Sequence, residues 1–357
     1  MKAQAEQAHP LVAELAAARR FLLHALEALP EERWSEQPSA AYSPVGWHAG
    51  HVAAMQARWL LPGEPESGQY GGFFDPLQTG KAARAALPGA TALRAYLKDV
   101  HDKVCHGLEA GRLPAILGLP ETFLVQHVAQ HELQHAEHIQ VVAALCRNDL
   151  HRQPKPLRVR SAARLEQPGG KVQIGNDDAA QAYDNEQPRH SRELEPHWLD
   201  RAPVTAAQFA GFIEAGGYRE RKHWTEEGWD FVQRQRLAAP LGFAEQEALA
   251  PVTCLSWYEA DAYARFRGAR LPTEFELEAA GVEPAGVWEW TSSWFLPYPG
   301  FRPYPYEGYS VPWFGTHRVL RGASWATSPS LQRSTLRNWY EPAFRELPSG
   351  FRCAGSP

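Results

Sequence analysis

Four histidines crowd one short stretch of this 357-residue chain: QHVAQHELQHAEHI holds His127, His131, His135 and His138. On a helix turning about 100° per residue, with His127 at zero, the other three fall at about 40°, 80° and 20°. All four share one stripe, with Gln134 at its edge. Imidazoles four apart on a helix can place two nitrogens on one metal ion, as helical HxxxH sites do. A second stretch, WHAGH, carries His48 and His51 three apart. One histidine from it and two from the first would make a three-histidine site with open positions, which suits zinc, iron or copper. Spacing does not choose the ligands. The pairs 127/131 and 131/135 are equivalent, and both His48 and His51 are available. The surplus histidines are expected to support the ligands or to be structural. A hydrogen-bonded core histidine explains any one of these residues, but not so easily the whole group. HELQH also matches the letters of a zinc-protease motif, with Glu132 at about 140° beside the stripe, so hydrolysis stays an alternative.

The elements that must position these residues are helices. Residues 11–29 have apolar positions recurring at three and four, and Pro30 ends the run. A second helix should begin after Ser43-Pro44, with Ser43 as cap, and run through Trp47, His51, Met55 and Trp59 to Pro62-Gly63. Residues 64–90 read as a long connection, 91–110 as a third helix and 121–146 as a fourth. Four helices with one long connection fit an up-down bundle, where metal sites are built from facing side chains. Residues 148–170, alternating proline with basic residues, are the linker candidate. Beyond them only 205–215 and 256–267 have a helical pattern. The aromatic- and proline-rich stretch 287–325 predicts ordered irregular structure, because so many large rings demand burial.

Composition supports a division near residue 150. Eleven of the 15 histidines lie at or before His151, whereas ten of the 13 tryptophans lie at or after Trp198. A net charge of −5 offers no polyelectrolyte signature, so nucleic acid is not the expected partner. No apolar run reaches the roughly 18 residues a membrane span needs, and the acid-bearing start is not a secretion signal. Four scattered cysteines form no disulfide framework, which suits a cytoplasmic protein.

Two motifs then meet. SPVGWHAGH (43–51) with QHELQH (130–135) resembles the DinB-type bundle of ergothioneine-biosynthetic sulfoxide synthases. The second half resembles the formylglycine-generating-enzyme/sulfatase-modifying-factor fold that follows that bundle, in AYDNEQPRH (182–190), RLPTEFELEAA (270–280), VWEWTSS (287–293), RVLRGASWATSP (318–329), RNWYEP (337–342) and SGFRCA (349–354). The related selenoneine synthases share this architecture. The resemblance implies an α+β protein: a DinB-like four-helix, iron-binding bundle over 1–150, then a C-type-lectin-like domain of the formylglycine-generating-enzyme type, rich in irregular structure, over 151–357. It implies a non-haem iron(II), dioxygen-dependent enzyme that joins sulfur or selenium to the imidazole C2 of hercynine, the trimethylated histidine. His51, His131 and His135 fall on the family's iron ligands, and Gln134 on a residue that helps hold the imidazole. Asn338 and Trp339 match the pair beside the trimethylammonium group, which an indole face attracts. Arg345 and Arg352 are candidate anion contacts, and Tyr304 or Tyr306 the candidate catalytic tyrosine, with Tyr298 and Tyr309 nearby in sequence.

Two departures bear on the chalcogen donor. Synthases that use γ-glutamylcysteine resemble one another in an Asn-Trp-Asp stretch and an arginine-rich segment between the second and third helices. Here Tyr340 stands in the aspartate's place, and the segment reads QTGKAARAALPGA, with only Lys81 and Arg84 basic. A selenosugar or a small thiol such as cysteine fits better. Three other readings compete. Formylglycine generation needs a copper-binding cysteine pair in the segment aligned with SWATSPSLQRST, which has none. A DinB-type metal-dependent thiol transferase leaves the second domain unused, and a lectin-like binding module leaves the histidines in a core.

Overall fold

The computed structural model describes residues 9–112, 119–159, 163–178, 180–305 and 307–357. The chain divides into two units, Met1–Asn148 and Asp149–Pro357.

The first unit is helical: α1 (Pro10–Leu26), α2 (Val45–Leu60), a single turn α3 (Pro65–Gly68), α4 (Ala90–Glu109) and α5 (Glu121–Arg147). α1 packs on α5, and α2 packs on both α4 and α5. The packed faces follow the three-and-four spacing: Leu11, Leu15, Ala18, Leu22 and Ala25 on α1, and Leu93, Leu97, Val100, Val104 and Leu108 on α4, are all buried. α2 is different, being buried without a break from Val45 to Ala53. Its glycines make that possible. A Cβ on Gly50 would sit 2.2 Å from the Phe74 ring, so only glycine lets the 64–90 connection lie this close. The expected Ser43 cap is not made. Pro44 is the N-cap residue, and the Ser43 hydroxyl instead accepts from Arg84 Nη1 at 2.8 Å.

Within this core Arg19 is buried, donating to both oxygens of Glu132 (2.5 and 3.3 Å), to Gln56 Oε1 (2.9 Å) and to the Leu97 carbonyl. One guanidinium thus ties α1, α2, α4 and α5 together. A buried charge is tolerable only when paired and hydrogen-bonded in this way.

Among its described residues the second unit holds three small sheets. Strand β1 (Arg164–Gln167) pairs with β4 (His197–Asp200), which pairs with β9 (Ala354–Gly355); β2 (Gly170–Ile174) pairs with β3 (His190–Leu194). The third sheet runs β7 (Asn338–Tyr340), β6 (Arg318–Gly322), β5 (Trp288–Trp294), β8 (Ser349–Gly350), antiparallel except for the parallel β5–β8 pair. β1 begins inside the expected linker, which is therefore shorter than 148–170. Four helices accompany the sheets: α6 (Ala206–Glu214), α7 (Glu226–Gln235), α8 (Trp257–Phe266) and α9 (Glu274–Ala280). Each starts on a Thr or Ser whose hydroxyl accepts from the first turn: Thr205, Thr225, Ser256 and Thr273. α7 and α9 were not expected from the sequence.

Buried ion pairs fasten the irregular segments. Glu274 takes Arg337 through Nε (2.8 Å) and Nη2 (3.0 Å) and Arg321 through Nη2 (3.0 Å), while Arg337 also donates to the carbonyls of Asn185 and Leu296. Arg333 binds Glu186 through two nitrogens. These contacts anchor the tryptophan- and tyrosine-rich chain between β5 and β7 to α9 and to the 184–186 turn.

Candidate metal centre

α2 and α5 present six histidines, and their surroundings sort them. His51 is buried, its ring stacked on Trp47 at 4.7 Å with an interplanar angle of 11°. Its Nδ1–H donates to the Phe74 carbonyl at 2.7 Å. A carbonyl can only accept, so this contact puts the ring proton on Nδ1 and leaves the Nε2 lone pair free. That Nε2 lies 3.2 Å from His131 Nε2. The His135 ring completes the group, with centroids 4.6 Å from His51 and 4.4 Å from His131. His51, His131 and His135 each offer a nitrogen within 4.8 Å of the others.

This set fits a metal ion. Two nitrogens each about 2.1 Å from one metal, in neighbouring positions, lie roughly 3–3.4 Å apart, which brackets the His51–His131 separation. Ligating imidazoles must be neutral, and burial keeps them so. It lowers His51 to about 4 and His131 and His135 well below the usual histidine range, each imidazolium being further disfavoured by neighbouring cationic forms. Three imidazoles leave coordination positions for reactants.

The remaining histidines part ways. His127, equivalent to the others by spacing, stacks on Phe123 (5.7 Å, 21°) and meets Trp59 edge-on, outside the group. His48 and His138 form a second cluster with His135, again within 4.8 Å. His48 Nδ1 and His135 Nδ1 are 2.8 Å apart. Glu132 is turned toward Arg19, and its carboxyl is raised by burial and held down by that guanidinium. It is a structural partner rather than a metalloprotease base, so the HELQH reading fails.

Gln134 sits partly buried on α5, one residue before His135. In the second unit Asn338, Trp339 and Tyr340 form β7, opposite Leu320, Val319 and Arg318. Trp339 stacks on Phe295 (4.3 Å, 7°) and takes Tyr309 edge-on (5.8 Å), so one indole face is covered. Tyr340 stacks on Phe344 (4.7 Å). Tyr304 is half-buried, its phenol raised by burial, and its backbone amide serves the Asp184 carboxylate. Tyr306 lies outside the described residues. Tyr298 is buried and accepts from Arg321, a packing role, while Tyr309 also packs against Tyr183.

Both candidate anion contacts are engaged with carboxylates of the fold. Arg352 is 1 % exposed, with Nε and Nη2 on Glu289 and Nη1 on the carbonyls of Asp200 and Arg201. Its charge is spent inside the fold. Arg345 binds Glu259 through Nε and Nη2 and also the Ala239 carbonyl. Cys254 is buried and raised to about 12, and Cys353 is likewise buried and raised, so both are core thiols rather than reactive ones. The Phe74 carbonyl was not foreseen. It lies in a Gly-rich connection, and no side-chain pattern marks a backbone acceptor.

A helical bundle with converging imidazoles, followed by a sheet-containing domain, defines the class, and comparison with known proteins gives it a family. A DinB superfamily model matches residues 14–139, and a sulfatase-modifying factor enzyme 1-like domain model matches 151–286 and 284–357. The hercynine oxygenase of Mycobacterium tuberculosis is 32% identical, covering 87% of this chain and 91% of that one. The hercynine oxygenase of Mycolicibacterium smegmatis is 30% identical over 96% and 98%. The formylglycine-generating enzyme of Streptomyces coelicolor is 26% identical over 56% of this chain and 90% of its own. The chain belongs to the hercynine oxygenase family and is an enzyme of the oxidoreductase type. Among the described residues, no helix is long and apolar enough to cross a membrane.

Proposed function

We propose that this enzyme uses iron(II) and dioxygen to join a chalcogen donor to C2 of hercynine. The reading is carried by three converging imidazoles, His51 buried and His131 and His135 partly buried, in a chain similar over nearly its full length to hercynine oxygenases. In the balanced reaction the C2–H and chalcogen–H bonds break and a carbon–chalcogen bond forms. One oxygen atom ends on the chalcogen and the other in water. His51, His131 and His135 would hold the metal, which supplies the redox chemistry that dioxygen requires.

The chain's own residues do the positioning. Trp47 and the Phe74 carbonyl fix the plane and tautomer of His51. Gln134 is assigned to the substrate's imidazole, whose two nitrogens an amide can meet as donor or acceptor. Asn338 and Trp339 are assigned to the trimethylammonium group, which cannot donate a hydrogen bond and is instead attracted by a π-face. Tyr304 or Tyr306 is the proposed proton-bearing tyrosine.

For the donor we propose a seleno- or thiosugar ahead of γ-glutamylcysteine, with cysteine as the next choice. Carboxylates taken from water need matched cations. The two basic residues of the 78–90 segment are already engaged. Arg84 lies over Trp47 (4.1 Å) and donates to Ser43, Thr79 and Pro76, and Lys81 donates to the Ala41 carbonyl. Tyr340 brings no carboxylate to meet a donor's ammonium group. Competition between a selenosugar and γ-glutamylcysteine at equal concentration tests this. The sugar adduct should dominate, and a clear excess of the γ-glutamylcysteine adduct would overturn the donor assignment.

A further inference from the structure

We infer that His48 is a positioning residue that sets the ligating nitrogen of His135, by accepting the Nδ1 proton of that ring. The inference rests on the metal reading above and extends it to a residue outside the ligand set.

The count of protons on the two rings decides which one donates. His48 Nδ1 and His135 Nδ1 are 2.8 Å apart, a hydrogen-bond distance that needs one proton between two nitrogens. Both rings are neutral imidazoles, each with one N–H and one lone pair. If His48 donated, the His135 proton would lie on Nε2, and His135 would have no lone pair left for a metal except the one already spent on His48. If His135 donates, its Nε2 is bare, and His48 carries its own proton on Nε2. Only the second arrangement makes His135 a ligand. His51 meets the same requirement through the Phe74 carbonyl, which enforces the tautomer outright. His48 is the counterpart for His135, built from a ring rather than a backbone group.

His48 is 4 % exposed, and its Nε2 has no hydrogen-bond partner, so the proton placed there is unsatisfied, a cost borne by His48 while the His135 Nε2 is left bare. The His138 ring stands 5.4 Å from His48 and 5.5 Å from His135, closing the pair off on a third side. The competing use of the same cluster is as a second metal site made of His48, His135 and His138. That use would need the His135 Nδ1 lone pair, so the two readings assign the proton oppositely.

The test compares the full-length protein with His48→Leu and His48→Asn. Cobalt(II) and iron(II) affinities are measured anaerobically against a competing chelator, with metal-to-protein stoichiometry. Outer partners of metal-bound histidines are worth about 10–100-fold in affinity, so His48→Leu should weaken binding by that factor at an unchanged one metal per chain. His48→Asn, whose Oδ1 can stand where Nδ1 stood, should recover most of the loss. Nitrogen-15 spectra of the zinc-loaded wild type should show the His135 proton on Nδ1, a readout that needs no variant to fold. Equal affinity in His48→Leu, a wild type that takes up two equivalents with one lost on substitution, or a His135 proton on Nε2 would each overturn the inference. A wild type that binds no metal would instead sink the metal reading on which it rests.

Discussion

Burial is the property that turns a stripe of histidines into ligands. Water-exposed imidazoles would be partly protonated near pH 6.5, whereas His51, His131 and His135 are held neutral by their surroundings. Replacing any of the three with Ala should abolish stoichiometric iron binding, read by metal analysis of the purified protein. His127→Ala should leave metal content unchanged, because that ring packs on Phe123 outside the cluster. His127 bears instead on stability. Burial lowers it from 6.5 to about 4, so the unfolded chain binds its proton first as the solution is acidified. The stabilisation is complete above pH 6.5 and is lost as pH falls toward 4, up to about 3 kcal/mol for such a shift. Urea midpoints measured at pH 7 and pH 4.5 should converge in His127→Phe relative to wild type. At the proposed ammonium site, Trp339→Ala should weaken hercynine binding by about 0.5–2 kcal/mol by calorimetry. Histidine should bind the wild type more weakly than hercynine does. The residue types were legible from spacing, but 127/131 and 131/135 were indistinguishable until packing separated them.

At the scale of elements, the decisive feature is how the connection after α2 returns to touch it. Gly50 admits the Phe74 ring, and the Phe74 carbonyl then orients His51 one residue along. Gly50→Ala places a Cβ 2.2 Å from that ring, so the connection must move. Overpacking of this kind costs about 1–3 kcal/mol, and the loss should appear both in thermal unfolding and as weakened metal affinity. An unchanged metal affinity would mean that the Phe74 contact does not govern His51. The long helices were readable because each carries several turns of three-and-four periodicity. Ser43 was misread because its hydroxyl had another suitor in Arg84, forty-one residues away. α9 carries a capping box in Thr273 and Glu276, yet seven residues give too few turns for periodicity to register. The early strands β1 and β2 alternate between exposed and half-buried positions, with only Ile174 at the end of β2 fully buried, so they lack the apolar alternation by which strands are recognised.

For the whole molecule, composition marked the division into a histidine-bearing helical half and a tryptophan-rich half of short elements, while the α+β class followed from the family resemblance. The buried Glu274–Arg337–Arg321 cluster was not visible in the sequence, since a charged residue in a chain reads as surface until its partner is known. The central claim is that a three-histidine metal enzyme uses dioxygen to make a carbon–chalcogen bond on hercynine. Its most direct test is mass analysis of the product formed from hercynine, a thiol or selenol donor and ¹⁸O₂ by the iron-loaded protein. A single adduct at C2 carrying one ¹⁸O atom, absent without oxygen and absent in His135→Ala, is the predicted result. An adduct formed equally well without oxygen would contradict the claim and make the protein a thiol transferase.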